Sequence, residues 1–293
     1  MRYRATCWSP SIPPLLAQLA SRMAPHPALR TSHFAVCAIV PLLISTAACR
    51  DTFYPLKNRI TPGTDAFVVF VADGQAEAGE LWAGQASGGP VFQLTYTLSD
   101  EDAPALSPSG GVLAFIRAAA RTDSSGRRVW FMNLVTGNER EMPVFPDSSI
   151  PLRMAFSADG NAIYAATTSG VWILDAPPAP VLFRRAIGAD SISADSALTV
   201  FIGEPAFARI GPCIAKVGSL CAFPPGQAEA PLQEGGVDPV HWGADSIGYF
   251  VGDRLLVRAG DGGRVREVKW VRVPVNPRRA TFAPAASPHS SGR

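Results

Sequence analysis

Few residues in this chain have types and spacings that could support chemistry. Asp100, Glu101 and Asp102 are three consecutive acids, and carboxylate oxygens are ligands that Ca²⁺ prefers. Their spacing matches no calcium-binding loop, and adjacent acids between strands are typical of a solvated loop. His241, the only histidine of the predicted folded body, has no recognisable partner, which favours a structural role. We therefore predict no metal site and no cofactor.

Two cysteines lie close together near the end of the chain. Cys213 and Cys221 are eight positions apart, and in an exported protein they could close a small loop as a disulfide. Two free buried thiols are the alternative interpretation. Metal binding would need more ligands, and no histidine lies nearby.

Motifs of common catalytic sites are missing from the sequence. We find no Gly-x-Ser-x-Gly elbow, no His-Glu-x-x-His helix and no phosphate-binding loop. We therefore predict no catalytic residue and expect that the protein is not an enzyme.

The N-terminal region predicts export. An apolar run, Phe34 to Ser45, follows Arg30 and is too short to span a bilayer, which takes roughly 20 residues. Small residues follow it, as at a signal-peptide cleavage site. We interpret residues 1–48 as an export signal, with Met23 as an alternative start that gives a more usual length.

The residues Thr46, Ala47, Ala48 and Cys49 resemble the lipobox of bacterial lipoproteins, although that family prefers an aliphatic residue where Thr46 stands. The resemblance implies that Cys49 becomes the lipidated first residue and anchors the protein to a membrane of the cell envelope, on its periplasmic side. The alternative is ordinary cleavage after Ala48, which would leave a soluble protein. Residues 49–65 are then expected to form a tether.

The composition excludes some classes of partner. Residues 50–293 carry 22 basic and 24 acidic residues, so they lack the positive excess that nucleic-acid binding normally needs. The whole chain has 27 prolines, 26 glycines and 47% hydrophobic residues, which favours short strands and many turns around a large core.

One stretch shows how the chain is organised. Residues 152–175 read as a strand, a Ser157-Ala158-Asp159-Gly160 turn, an alternating strand and a further strand. Weaker copies recur at steps of about 36 to 50 residues, with turns at Ser107, Ser157, Ser193, Gly243 and Ala283. A four-stranded unit repeated at this spacing predicts an all-β fold, a β-propeller of five four-stranded blades, or six if residues 184–236 contain another.

The two ends of the folded region are expected to share one blade. Residues 280–284 look like the first strand of a unit that the chain does not finish, whereas strands 66–72, 80–85 and 91–95 lack a first strand. We predict that the propeller spans residues 66–284 and closes in this way. A last strand is expected near residues 268–273, and residues 285–293 are expected to be disordered.

The units resemble the TolB-type, WD40-like propeller repeat of bacterial envelope proteins. The nearest matches are residues 100–110, an acidic stretch followed by Pro104 and a Ser-Pro-Ser-Gly turn, and residues 156–160. The resemblance implies a non-catalytic propeller that binds a protein or another component of the cell envelope. The alternative is a propeller enzyme or carbohydrate-binding propeller, which converging acids, histidines or arginines at the axial mouth would favour.

Overall fold

The computed structural model describes residues 54–74, 77–188, 213–216, 219–222, 230–242, 246–259 and 264–285, all in one compact unit of the chain. Side chains are described for these residues except 186–188, 213–216, 219–222, 230–233 and 241. The predicted export signal, Cys49 and the turn at Ser193 lie outside the described residues.

The described residues form mostly antiparallel sheets, four of which have four strands. Sheet I runs in the order β21 (Arg278–Ala283), β1 (Phe67–Asp73), β2 (Gly79–Gln85) and β4 (Phe92–Gln93). Sheet II contains β5 (Asp100–Leu106), β6 (Val112–Ala118), β7 (Arg128–Asn133) and β8 (Glu139–Glu141). Sheet III contains β9 (Pro151–Phe156), β10 (Ala162–Thr167), β11 (Gly170–Asp175) and β12 (Phe183–Gly188).

The later part of the chain continues the pattern. Sheet IV contains β13 (Cys213–Lys216), β14 (Ser219–Ala222) and β15 (Ala230–Glu234). Sheet V contains β16 (Gly236–His241), β17 (Ser246–Val251), β18 (Arg254–Ala259) and β19 (Val265–Glu267). None of the described segments is a helix long and apolar enough to cross a lipid bilayer.

The first strands of successive sheets lie against one another, which makes them the innermost strands of a propeller. β16 contacts β21, β21 contacts β5, and β5 contacts β9, while β13 contacts β16. Hydrophobic clusters fill the spaces between sheets V and I, I and II, and II and III. The predicted β-propeller is therefore confirmed. The number of blades stays a prediction, because residues 189–212 lie outside the described part.

The ring closes as the sequence predicts. β21, from the C-terminal end, pairs antiparallel with β1, with Phe67 opposite Ala283 and Val69 opposite Thr281. β1 is buried along nearly its whole length, since it has strands on both sides and sheets against both faces. Its continuous apolar sequence is the physical reason that it occupies this central position.

The Ser-x-x-Gly turns connect the innermost strand to the next one. The Ser107 hydroxyl oxygen accepts a hydrogen bond from the Val112 amide at 3.0 Å, and Ser157 does the same for Ala162 at 2.9 Å. Gly110 and Gly160 have φ values of 70° and 74°, where a side chain would be strained. These contacts show that the repeated turn has a structural role, because its serine and glycine stabilise the connection between the two strands.

The last strand of sheet V differs from its predicted position. The prediction was a strand near residues 268–273, whereas β19 ends at Glu267 and the chain then crosses toward sheet I. There β20 (Trp270–Val271) pairs in parallel with β3 (Gly89–Pro90). The Trp270 indole explains the crossing, since it stacks on Phe70 with ring centroids 4.9 Å apart and donates a hydrogen bond to the Gln85 carbonyl oxygen.

The segment before β1 packs on the propeller. Residues 54–65 form turns, and the side chains of Leu56 and Ile60 are buried in the cluster between sheets I and II. Residues 49–53 of the predicted tether lie outside the described part.

Candidate functional site

One end of the propeller concentrates the charged side chains that pair across sheets. We call it the charged end, and it is where β21, β5, β9 and β16 begin; the opposite end carries the Ser-x-x-Gly turns. The loops that enter the innermost strands and the loops after the second strands meet at the charged end, because neighbouring strands are antiparallel. It therefore brings together residues that are far apart in sequence.

Asp73 is the centre of the first charged group at this end. Its carboxylate accepts hydrogen bonds from Arg121 at 2.9 Å, Arg278 at 2.9 Å and Asn276 at 2.6 Å. Burial alone would raise the pKa of Asp73, but these donors outweigh that effect and lower it. Since Arg121 belongs to sheet II and also approaches Asp100, the group links sheets I and II at the surface.

Arg279 is the centre of the second charged group, nearer the innermost strands. Its backbone amide donates to the Asp238 carboxylate at 3.1 Å, and its Nε lies 3.8 Å from Asp102 and 3.9 Å from Asp238. Arg127 approaches Asp102 from the other side at 2.9 Å. Three sheets thus contribute to one mixed-charge group around the start of the innermost strands.

Left-handed backbone conformations occur in the strands that carry these side chains. Ala103, Asp238 and Arg279 have φ values of 48°, 50° and 51°, in the left-handed region that is uncommon for residues other than glycine. Each lies in an innermost strand where the pairing register shifts. A bulge of this kind bends the strand and redirects a side chain, and such bulges are frequent beside functional sites.

Exposed aliphatic side chains surround the charged groups. Leu98 is 77% exposed and Val275 68% exposed, and they precede β5 and β21 respectively. Val144 precedes β9 and is 54% exposed, and Leu152 and Val237 lie near the starts of β9 and β16. Every innermost strand that starts at the charged end, among those whose side chains are described, is thus accompanied by an exposed aliphatic residue.

A third group, which we call the buried acidic group, lies between sheets I and II. The side chains of Glu80 and Glu101 have no solvent exposure, and the Thr95 hydroxyl lies between them, 2.6 Å from Glu80 Oε2 and 3.3 Å from Glu101 Oε2. Arg117 donates to Glu101 Oε1 at 2.8 Å and also binds Glu139. Burial raises the pKa of Glu101 to about 7, and the nearby Glu80 charge adds to this, against the opposing effects of Thr97 and Arg117.

Aromatic rings hold Arg117, the cation that binds Glu101. The Arg117 guanidinium lies 4.6 Å from the Trp130 ring centroid and 5.0 Å from that of Phe115. Stacking of this kind stabilises a desolvated arginine and fixes its orientation. Arg117 is therefore positioned for Glu101, with Glu139 at the outer side of the same guanidinium.

The three consecutive acids do not form the solvated loop that the sequence suggested. Asp100, Glu101 and Asp102 open β5, where Glu101 is fully buried between sheets I and II and the two aspartates pair with arginines at the charged end. The prediction was wrong because the acidic run looked like a connection, whereas pairing with β6 and arginines at both aspartates support it as a strand.

The other predicted site residues lie away from these groups. Cys213 and Cys221 fall in the adjacent strands β13 and β14, where Cys213 is opposite Ala222 and Ile214 is opposite Cys221. His241 is the last residue of the innermost strand β16. The disulfide and the lipidation of Cys49 stay predictions.

Sequence reasoning missed Arg279, Asp238 and Arg121, which complete the charged groups. Their partners are between 21 and 177 positions away, so no local motif marks them. Within the described residues, no three His, Cys, Asp or Glu side chains gather closely enough to hold a metal ion by themselves.

No protein-family model matches the sequence, and no curated protein matches it. Among solved structures, the chain is similar to TolB from Acinetobacter baumannii (14% identity, 78% of this chain and 69% of TolB covered, TM-score 0.38). It is also similar to a putative TolB from Agrobacterium tumefaciens (13% identity, 75% and 74% covered, TM-score 0.34). A nidogen/laminin complex shows 9% identity, 76% and 100% coverage and a TM-score of 0.49.

At these identities and TM-scores the similarities carry no inference about function. The protein is a β-propeller on the strength of its own sheet order, its ring closure and the contacts of its innermost strands.

Proposed function

We propose that this protein is a non-catalytic β-propeller that binds another protein of the cell envelope through its charged end. The observation that carries the proposal is the set of exposed aliphatic residues around the paired charges, above all Leu98 and Val275. Exposed apolar side chains that gather at one end of a fold favour a protein interaction site there.

The charged groups suit recognition of a folded surface. Asp73, Asp102 and Asp238 are each held by arginines, so their positions are set before a partner arrives. Oriented charges at a rim steer association and exclude wrong partners, while apolar contacts supply more of the affinity. Together they favour a protein partner over a small, uniformly charged ligand.

The cellular location is part of the proposal. The N-terminal apolar run supports export, and the lipobox-like sequence supports an anchor at Cys49, in the envelope compartment where the partner would then be met. Metabolic labelling with a palmitate analogue tests the anchor: wild-type protein should be labelled and Cys49→Ala should not. Absence of label on the wild type would contradict lipidation and leave the binding proposal standing.

A cross-linked pull-down from envelope extract of the source organism tests the binding proposal. Wild type is compared with a Leu98→Asp/Val275→Asp variant and with Val135→Asp. Val135 is 55% exposed in the β7–β8 turn at the opposite end of the propeller, so it is a matched control.

We expect wild type and the Val135 control to recover the same specific protein by mass spectrometry, and the double variant to lose it. Circular dichroism of all three must show the same fold. A protein that the double variant still recovers would place the interaction elsewhere, and no specific protein in any sample would contradict the proposal.

A second function has one observation in its favour. Asp102, Asp238 and Arg279 converge where the innermost strands begin, which is the arrangement that a carbohydrate-binding or hydrolytic propeller would use. Both carboxylates are already engaged by arginine, whereas glycoside hydrolysis needs one carboxylic acid that can donate a proton. A glycan array with wild type and Asp102→Asn tests it, and specific glycan binding that Asp102→Asn loses would favour this function over the first.

A further inference from the structure

Among the described residues, the hydrogen bonds of the buried acidic group leave one oxygen of Glu80 and one of Glu101 without a proton donor of its own. Glu80 Oε2 accepts the Thr95 hydroxyl at 2.6 Å, and Glu101 Oε1 accepts the Thr97 hydroxyl at 2.7 Å and Arg117 Nε at 2.8 Å. Glu80 Oε1 is buried and finds no hydrogen-bond partner among the described residues.

Glu101 Oε2 is in a similar position. Its polar contact is the Thr95 hydroxyl at 3.3 Å, but a hydroxyl has one proton, and the shorter contact directs that proton to Glu80. The Thr95 oxygen already accepts the Leu81 amide at 2.9 Å. Two buried carboxylate oxygens, Glu80 Oε1 and Glu101 Oε2, therefore have no proton donor of their own within the part of the chain that the structure describes.

The formal charges of the group do not balance. Glu80 and Glu101 carry two buried negative charges when ionised, and among the described residues the cation that reaches this pair is Arg117, which also binds the partly exposed Glu139. An uncompensated buried carboxylate is costly, so such groups are neutralised by a proton or by a cation. One proton on Glu101 would satisfy its free oxygen but leave Glu80 Oε1 unpaired, whereas a divalent cation would neutralise both carboxylates.

We propose that Glu80 and Glu101, with the Thr95 hydroxyl beside them, bind one divalent cation of the oxygen-preferring class, such as Ca²⁺, between sheets I and II. Glu80 Oε1 and Glu101 Oε2 would be its anionic ligands, and backbone carbonyls or water would complete the coordination. Since Glu80 lies in β2 and Glu101 in β5, the ion would join the blade that closes the ring to the next one.

Calcium titration of the purified protein, first treated with EDTA, tests the proposal by thermal unfolding and by isothermal titration calorimetry. We expect one ion per chain and a rise in Tm of about 5 °C or more at saturating Ca²⁺. In Glu80→Gln, which keeps the shape of the side chain and removes its charge, both the heat of binding and the rise should be lost. Glu139→Gln is the matched control, because Glu139 binds the outer side of the Arg117 guanidinium that Glu101 binds from the inside. This variant should keep both the heat of binding and the rise in Tm.

Three results would overturn the proposal. The first is no heat and no change in Tm with Ca²⁺, Mg²⁺ or Mn²⁺. The second is an equal response of wild type and Glu80→Gln, which would place the ion elsewhere. The third is a Tm that rises as the pH falls while divalent ions have no effect, which would mean that the pair holds a proton instead.

Discussion

Asp100 and Glu101 are neighbours in sequence, yet they belong to two regions in which the pKa of a carboxyl group is shifted in opposite directions. Asp100 lies at the charged end, where Arg121 reaches it together with Asp73, and the two aspartate side chains keep 13% and 15% solvent exposure. Glu101 points between sheets I and II, where Arg117 is shared with Glu139 and Glu80 adds a second buried charge. The pKa of Asp73 is lowered in the first region, and that of Glu101 is raised to about 7 in the second.

The difference shows that burial and the supply of cations set the roles of neighbouring acids. Glu101 has no solvent exposure and shares Arg117 with Glu139, whereas Asp100 and Asp102 keep 13% and 23% exposure and each pairs with an arginine. An acidic residue can therefore be a well-compensated partner of an arginine in one position and a buried, undercompensated charge in the next.

Removal of Arg117 should have the largest effect. Arg117→Ala leaves Glu101 buried without its cation, and we expect the free energy of unfolding to fall by about 3–5 kcal/mol. Urea unfolding measures the change. Glu139→Gln acts on the outer side of the same guanidinium and should cost clearly less. A loss below about 1 kcal/mol in Arg117→Ala would mean that Glu101 is already neutral or otherwise compensated.

The pH dependence of stability should come next in size. The folded pKa of Glu101, about 7, lies above the ordinary value of 4.5, so its contribution is complete below pH 4.5 and is lost as the pH rises through 7. Without divalent ions, the free energy of unfolding should fall by about 3 kcal/mol over this window. Urea unfolding in EDTA at several pH values measures it.

Glu80→Gln tests this pH dependence further. It removes the charge beside Glu101, so the free energy of unfolding should fall less between pH 4.5 and 7 than in wild type. Asp73 acts in the opposite direction: its folded pKa is lowered, so its contribution is present above its ordinary value of 3.8 and is lost as the pH falls further. A stability that rises steadily between pH 4.5 and 7 would contradict the assignment of Glu101.

Removal of Arg121 should have the smallest effect. Its side chain is 50% exposed, and an exposed ion pair contributes below about 1 kcal/mol even with two partners. We expect Arg121→Ala to unfold at nearly the wild-type urea concentration, with any difference shrinking in high salt. A loss as large as that of Arg117→Ala would remove the distinction between the two regions.

The sequence supported the fold better than the site. The Ser-x-x-Gly turns and the unfinished unit at residues 280–284 were enough to predict a propeller closed by both ends, because turn chemistry and strand periodicity are local. The crossing of Trp270 to sheet I depends on a stacking partner 200 positions away, and no local pattern contains it. The charged groups could not be predicted for the same reason, since Arg279 and Asp102 are brought together only by the closure of the ring.

Carboxyl titration by ¹³C NMR, in EDTA, tests the central claim most directly because it reads both regions in one sample. The account predicts that Glu101 titrates with a midpoint of about 7, while Asp73 titrates below the ordinary aspartate value of 3.8. Coincident midpoints for the two groups in the ordinary carboxyl range, near pH 4, would contradict it.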